Sequence, residues 1–158
     1  MDTGDQLSIL ARLALAALLG AFIGLERELR GYPAGVRTVA LVAFGSALFT
    51  EMSRIMGGSE DRIAAGIVSG IGFLGAGLIF REGYTVRGIT TAATVWSAAA
   101  IGMAVGREIY LVAGLGALLV FILLEARPVV RRLEAFILSL GRELVLREEE
   151  HDQDHDRR

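Results

Sequence analysis

Ile63-Ala64-Ala65-Gly66-Ile67-Val68-Ser69-Gly70-Ile71-Gly72-Phe73-Leu74-Gly75-Ala76-Gly77-Leu78-Ile79-Phe80 is a run of 18 residues without a single charge. At about 1.5 Å per residue, a helix of this length nearly covers a hydrocarbon core about 30 Å thick. The run lacks the polar/apolar alternation of a barrel strand, so its backbone can be satisfied in lipid only as a helix. Two further uncharged runs follow it, Gly88 to Val105 and Ile109 to Leu124, and two apolar stretches with few charges precede it, Leu7 to Leu25 and Val36 to Met56. Together they predict an all-α, polytopic membrane helix bundle of about five transmembrane helices.

Composition agrees. Of 158 residues, 53% are hydrophobic and 22% charged, and the charges collect between the apolar blocks instead of covering every element as a water-soluble enzyme requires. With no cysteine, disulfides, thiolate metal sites and thiol nucleophiles are excluded. The net charge of −2 supplies no basic field, so nucleic acid is not an expected partner. Both histidines lie in the tail, and nothing resembles a Ser-His-Asp arrangement, so no enzymatic activity is expected.

The first stretch reads as a true span, because Asp2 and Asp5 precede it where a cleaved leader carries basic residues. Arg12, near its start, is expected to snorkel to the interface. Orientation follows from arginine counting. With the amino terminus outside, the cytoplasmic side collects eight arginines (27, 30, 37, 81, 87, 127, 131 and 132) and the other side three (54, 62 and 107), which favours a cytoplasmic carboxyl terminus.

Residues 1–127 thus form the transmembrane domain. Beyond Pro128, Val130, Leu133, Ile137, Leu140 and Leu144 recur at steps of three and four, predicting a short amphipathic cytoplasmic helix over 128–147 that lies on the membrane or docks a partner. Residues 148–158 hold six of the 18 acids, and read as a solvated, disordered tail.

Gly70-Ile71-Gly72-Phe73-Leu74-Gly75 matches the dinucleotide-binding G-x-G-x-x-G by letter, but not by context: no strand precedes it, and no acid occurs between Glu82 and Glu108. Gly66, Gly70 and Gly77 share one helix face, and Ser69, Gly72 and neighbouring alanines another, which reads as close helix packing. With Gly75 added, this block is expected to be the central helix. Thr90 and Thr94 stand on one face of the next segment, more readily satisfied by their own helix than by a ligand, and Trp96 reads as packing. Segments three to five hold no carboxylate. Only Glu26 and Glu51 could be drawn into the bundle, which disfavours a carboxylate-based pump while leaving a backbone-lined or hydrated-ion pore open.

The stretches Gly24-Leu25-Glu26-Arg27-Glu28, Ala34-Gly35-Val36-Arg37-Thr38, Arg62-Ile63-Ala64-Ala65, Val68 to Gly77 and Val86-Arg87-Gly88-Ile89-Thr90-Thr91-Ala92-Ala93, with Trp96 and Ala100-Ile101-Gly102, resemble the MgtC/SapB membrane domain in order and spacing. The resemblance covers about Leu7 to Leu124. It implies a bacterial inner-membrane protein of about five spans, associated with growth in low magnesium and, in pathogens, with survival inside host cells. It also implies a regulator or accessory of other membrane proteins, although members are often labelled magnesium transporters. Three features depart from the family: Val39 stands where His or Asn is frequent, Gly66 where Gln is frequent, and the 34 residues after Leu124 are too few for the ACT-like domain of longer members.

The combined reading is an inner-membrane protein that influences Mg2+ homeostasis as a regulator or accessory, with a transporter or channel for Mg2+ or another small solute as the alternative. Its candidate residues are Glu26, Arg27, Arg37 and Thr38 at the membrane boundary, Gly66, Ser69, Gly70, Gly72, Gly75 and Gly77 for helix packing, and Thr90, Thr91, Thr94 and Trp96 facing them. Expected partners are lipid and a second copy, as a homodimer, or another membrane protein. No resident cofactor is expected, with Mg2+ the one candidate ligand or transported ion.

Overall fold

A computed structural model describes residues 2–126; the amphipathic helix expected over 128–147 and the tail 148–158 lie outside the described residues. The chain divides into two compact units, 1–121 and 122–158, and only the first five residues of the second are described, as the end of a helix. The elements are α1 (Thr3–Leu29), α2 (Val36–Ile55), α3 (Glu60–Leu78), β1 (Phe80–Glu82), β2 (Thr85–Arg87), α4 (Ile89–Gly106) and α5 (Tyr110–Glu125). Among the described residues α1 to α4 are long and apolar enough to cross a membrane, and α5 is a shorter apolar helix.

Each helix begins where local chemistry permits. The acids before the first apolar block are a helix cap: Asp2 accepts a hydrogen bond from the Asp5 amide at 2.8 Å, and the Asp5 carboxylate accepts one from the Asp2 amide at 3.0 Å. This capping box starts α1 at Thr3, outside the apolar core. The first amide of α2, on Val36, has no side-chain cap of its own and instead donates to the Glu28 carboxylate at 2.8 Å. An acid at a helix N-terminus satisfies a free donor and opposes the helix dipole.

The connection between α3 and α4 is a two-stranded antiparallel hairpin, Phe80 pairing with Arg87 and Glu82 with Thr85. Gly83, at φ +60°, takes the first position of the two-residue turn, where a primed turn calls for positive φ. Every residue of both strands is exposed, and Glu82 and Arg87 pair across them at 3.2 Å. Gly88, at φ +92°, then turns the chain into α4 so close to α3 that a Cβ there would overlap the Leu78 carbonyl.

The helix at the centre is α4, which packs against α1, α2 and α3. Of its residues Thr91, Ala92, Thr94, Val95, Ala98, Ala99, Ile101, Gly102, Val105 and Gly106 are buried. The expected central helix, α3, is instead largely peripheral: Ile67 and Gly75 are buried, while Phe73 is 81% exposed. A Cβ added to Gly66, Gly70, Gly72 or Gly77 would meet nothing within 4 Å, and only Gly75 comes near another helix, at 3.6 Å from the Ala92 methyl. The close backbone contacts lie elsewhere. A Cβ on Gly20 would stand 2.7 Å from the Val39 carbonyl, one on Gly24 2.7 Å from the Val36 Cα, and one on Gly106 2.9 Å from the Ala47 carbonyl, while one on Gly102 would overlap the Ala43 carbonyl. Gly20/Gly24 in α1 and Gly102/Gly106 in α4 are therefore the small-residue pairs that let α2 lie against both neighbours.

On α5, Ala113 and Ala117 are buried, and Phe121 stacks on Phe22 of α1 with ring centroids 4.7 Å apart. Leu18, Leu111 and Phe73 stand out from the bundle. Such an apolar exterior suits lipid, where association relies on backbone approach and polar contacts instead of solvent exclusion.

Candidate functional site

The up-and-down path brings the end of α1, the start of α2 and the start of α4 together. Glu26 and Arg27 are both buried there, with only 4% and 2% of their surface exposed. Arg27 donates from Nη2 to the Thr91 hydroxyl at 2.8 Å, and its guanidinium lies 3.6 Å from the centroid of the Tyr32 ring. A planar cation sandwiched this way gains a charge-assisted hydrogen bond and a cation–π contact, two ways to offset its desolvation. Glu26 pairs with Arg30 Nε at 2.7 Å and lies 3.8 Å from Arg27 Nη1. Neither carboxylate oxygen achieves hydrogen-bond angles in these pairs, so Glu26 is held by charge more than by directed bonds.

The geometry accounts for the Gly-Leu-Glu-Arg-Glu and Ala-Gly-Val-Arg-Thr strings. Gly24 admits the α2 backbone, Glu28 caps α2, and a Cβ on Gly35 would fall 2.6 Å from the Glu28 carboxylate. Arg37 and Thr38 are exposed, and Arg37 makes no ion pair among the described residues. Of the four boundary residues, the fold therefore brings Glu26 and Arg27 together and leaves Arg37 and Thr38 on the rim.

Segment four divides differently from expectation. Thr91 faces Arg27, not the glycines of α3. Thr94 donates to the Thr90 carbonyl at 2.8 Å, the local satisfaction its spacing predicts. Trp96 is half exposed and Thr90 is exposed. Ser69, Gly66, Gly70, Gly72 and Gly77 are exposed in α3, so among the described residues this set packs no neighbouring helix.

A second charged cluster, at the other end of α1, was not anticipated as a site. Glu51 is completely buried, 3.2 Å from Arg12 Nε, and accepts a hydrogen bond from Arg54 at 2.7 Å. Both arginines also reach Glu108, Arg54 at 2.7 Å and Arg12 in closer contact. Arg12 thus crosses to α2 and to Glu108 in the α4–α5 turn. Its partners lie 39 and 96 residues away along the chain, a pairing that no local pattern announces.

Thr91→Val keeps the shape of the boundary site and removes the acceptor for Arg27. The variant should lose about 1.5–3 kcal/mol of stability, the range for a hydrogen bond to a charged group. Thermal unfolding in detergent micelles measures it, and an unchanged midpoint would mean that Arg27 is held by Tyr32 and its other contacts alone.

Fold and site together define a multi-pass α-helical membrane protein with its buried carboxylates paired to arginines of the same chain. The chain belongs to the MgtC family, whose profile matches residues 13–133. It is 56% identical over 98 residues to the protein MgtC of Brucella abortus (strain 2308), covering 61% of this chain and 41% of that protein. It is 58% identical over 95 residues to the protein MgtC of Salmonella typhimurium (strain LT2), covering 60% and 41%. An uncharacterized protein of Synechocystis is 45% identical over 130 residues, 81% of this chain and 54% of that one. The chain spans about half the length of these curated relatives or less. No solved structure matches it.

Proposed function

We propose that this protein sits in the bacterial inner membrane, with its amino terminus outside and its carboxyl terminus in the cytoplasm, and influences Mg2+ homeostasis as a regulator or accessory of another membrane protein. Membership in the MgtC family supports the magnesium connection, and the arginine distribution supports the orientation. The observation that carries the regulatory reading is the state of the two carboxylates inside the bundle. Glu26 is engaged by Arg30 and Arg27, and Glu51 by Arg12 and Arg54. A carboxylate carrying a hard cation must offer its oxygens to that ion, and both of these already serve intramolecular ion pairs. In this reading the paired charges fix the bundle, and the exposed apolar helix faces meet a second copy or a different membrane protein. It performs no catalysis and needs no resident cofactor.

The test is Mg2+ entry into sealed vesicles containing only the purified protein and an entrapped indicator, alongside empty vesicles and vesicles with Glu26→Gln. The expected result is entry indistinguishable from empty vesicles once insertion is verified. Saturable entry that Glu26→Gln weakens would make the protein a transporter and overturn this reading.

A further inference from the structure

An apolar groove of about 650 Å³ runs between α2 and α3. Its walls include Leu41, Val42 and Phe49 of α2 and Ile67 and Leu74 of α3, and its floor is shaped by Gly66 and Gly70, the glycines whose missing side chains face open space. At one end stands Arg62, exposed, two residues inside the start of α3, its guanidinium making no ion pair or hydrogen bond among the described residues. Two other arginines of this half of the bundle, Arg12 and Arg54, are both paired.

We propose that the groove holds one acyl chain of an anionic phospholipid, with the headgroup phosphate on the Arg62 guanidinium. Three observations fix this occupant. The α3 wall from residue 62 to 74 measures about 18 Å at 1.5 Å per residue, close to the roughly 15 Å depth of one leaflet. The walls are apolar along this length, and a volume of about 650 Å³ admits a single hydrocarbon chain. Arg62 supplies the complementary charge at the depth where α3 leaves the apolar core, and its five donors suit a phosphate. The glycine face of α3, which packs no other helix among the described residues, thereby becomes the contact surface for a lipid tail.

The full-length protein is released from nanodiscs made of equal parts phosphatidylglycerol and phosphatidylcholine, and retained lipid is weighed by native mass spectrometry. Phosphatidylglycerol should be retained about five-fold over phosphatidylcholine, and Arg62→Gln should bring that ratio to about one. Gly70→Leu, which fills the groove without meeting a neighbour, should abolish retention of both lipids while helicity and particle size stay unchanged. Gly66→Val provides the same blockade at a second position, should Gly70→Leu fail to fold. Equal ratios for wild type and Arg62→Gln, or retention that survives both glycine variants, would overturn the proposal. A shift from dimer to monomer on filling the groove would also overturn it, by identifying the occupant as a helix of a second copy.

Discussion

Glu51→Leu should destabilise the bundle by about 3–5 kcal/mol, the cost of breaking a buried ion pair by removing one partner. The carboxylate is inaccessible, and two arginines converge on it from α1 and from the last turn of α2. Without it Arg12, itself only 12% exposed at its side chain, faces Arg54 with Glu108 as their single shared anion. Leucine fills the volume, so the loss reports charge and not a cavity. Adding Arg12→Leu to Glu51→Leu removes the stranded cation and should restore most of the stability, because an apolar pair can replace a buried ion pair at little net cost. Unfolding midpoints in detergent for wild type, both single variants and the double variant form the cycle. A Glu51→Leu midpoint within a degree of wild type would show that Arg12 and Arg54 reach water or Glu108 well enough without it.

The helices themselves were legible because lipid imposes a length and forbids charge within it. The apolar blocks of segments two, four and five lie within one residue of α2, α4 and α5 at either end. For α1 the block Leu7 to Leu25 falls four residues short at each end, since the helix runs on through Asp5 and Arg27, residues that hydropathy assigns to loops. The hairpin was missed for a similar reason. Its three-residue strands bury nothing and carry charges, so only the Gly83-Tyr84 pair signalled a turn there.

Site residues were legible where chemistry forced them inward. Glu26 and Glu51 were the two carboxylates able to enter the bundle, and both did, yet their partners depend on topology. Arg27 with Thr91 and Arg12 with Glu108 join residues 64 and 96 apart. Glycine spacing was ambiguous in the same way: Gly20/Gly24, Gly66/Gly70 and Gly102/Gly106 share one four-residue step, and the crowded α3 run drew attention to the pair that touches no other helix among the described residues. The spacing shows that a backbone can be approached, and only the burial of the face shows which one is.

Gly102→Ala and Gly70→Leu should therefore differ in the direction opposite to side-chain size. A methyl on Gly102 would be driven into the Ala43 carbonyl, and the carbon of that carbonyl would stand only 2.9 Å away. Ala43 is fully buried, with Val39 and Ala47 one turn away on either side likewise sealed, so α2 cannot retreat without opening its whole contact with α4. Overpacking in tight cores costs about 1–3 kcal/mol where side chains can yield, and backbone against backbone leaves nothing to yield, so Gly102→Ala should reach or exceed that range. Gly70→Leu adds a far larger group but points it into the α2–α3 groove, and its unfolding midpoint should stay near that of wild type. Size-exclusion profiles and unfolding midpoints in the same detergent compare the two. A destabilised Gly70→Leu beside an intact Gly102→Ala would move the close helix contact to α3 and return that helix to the centre of the bundle.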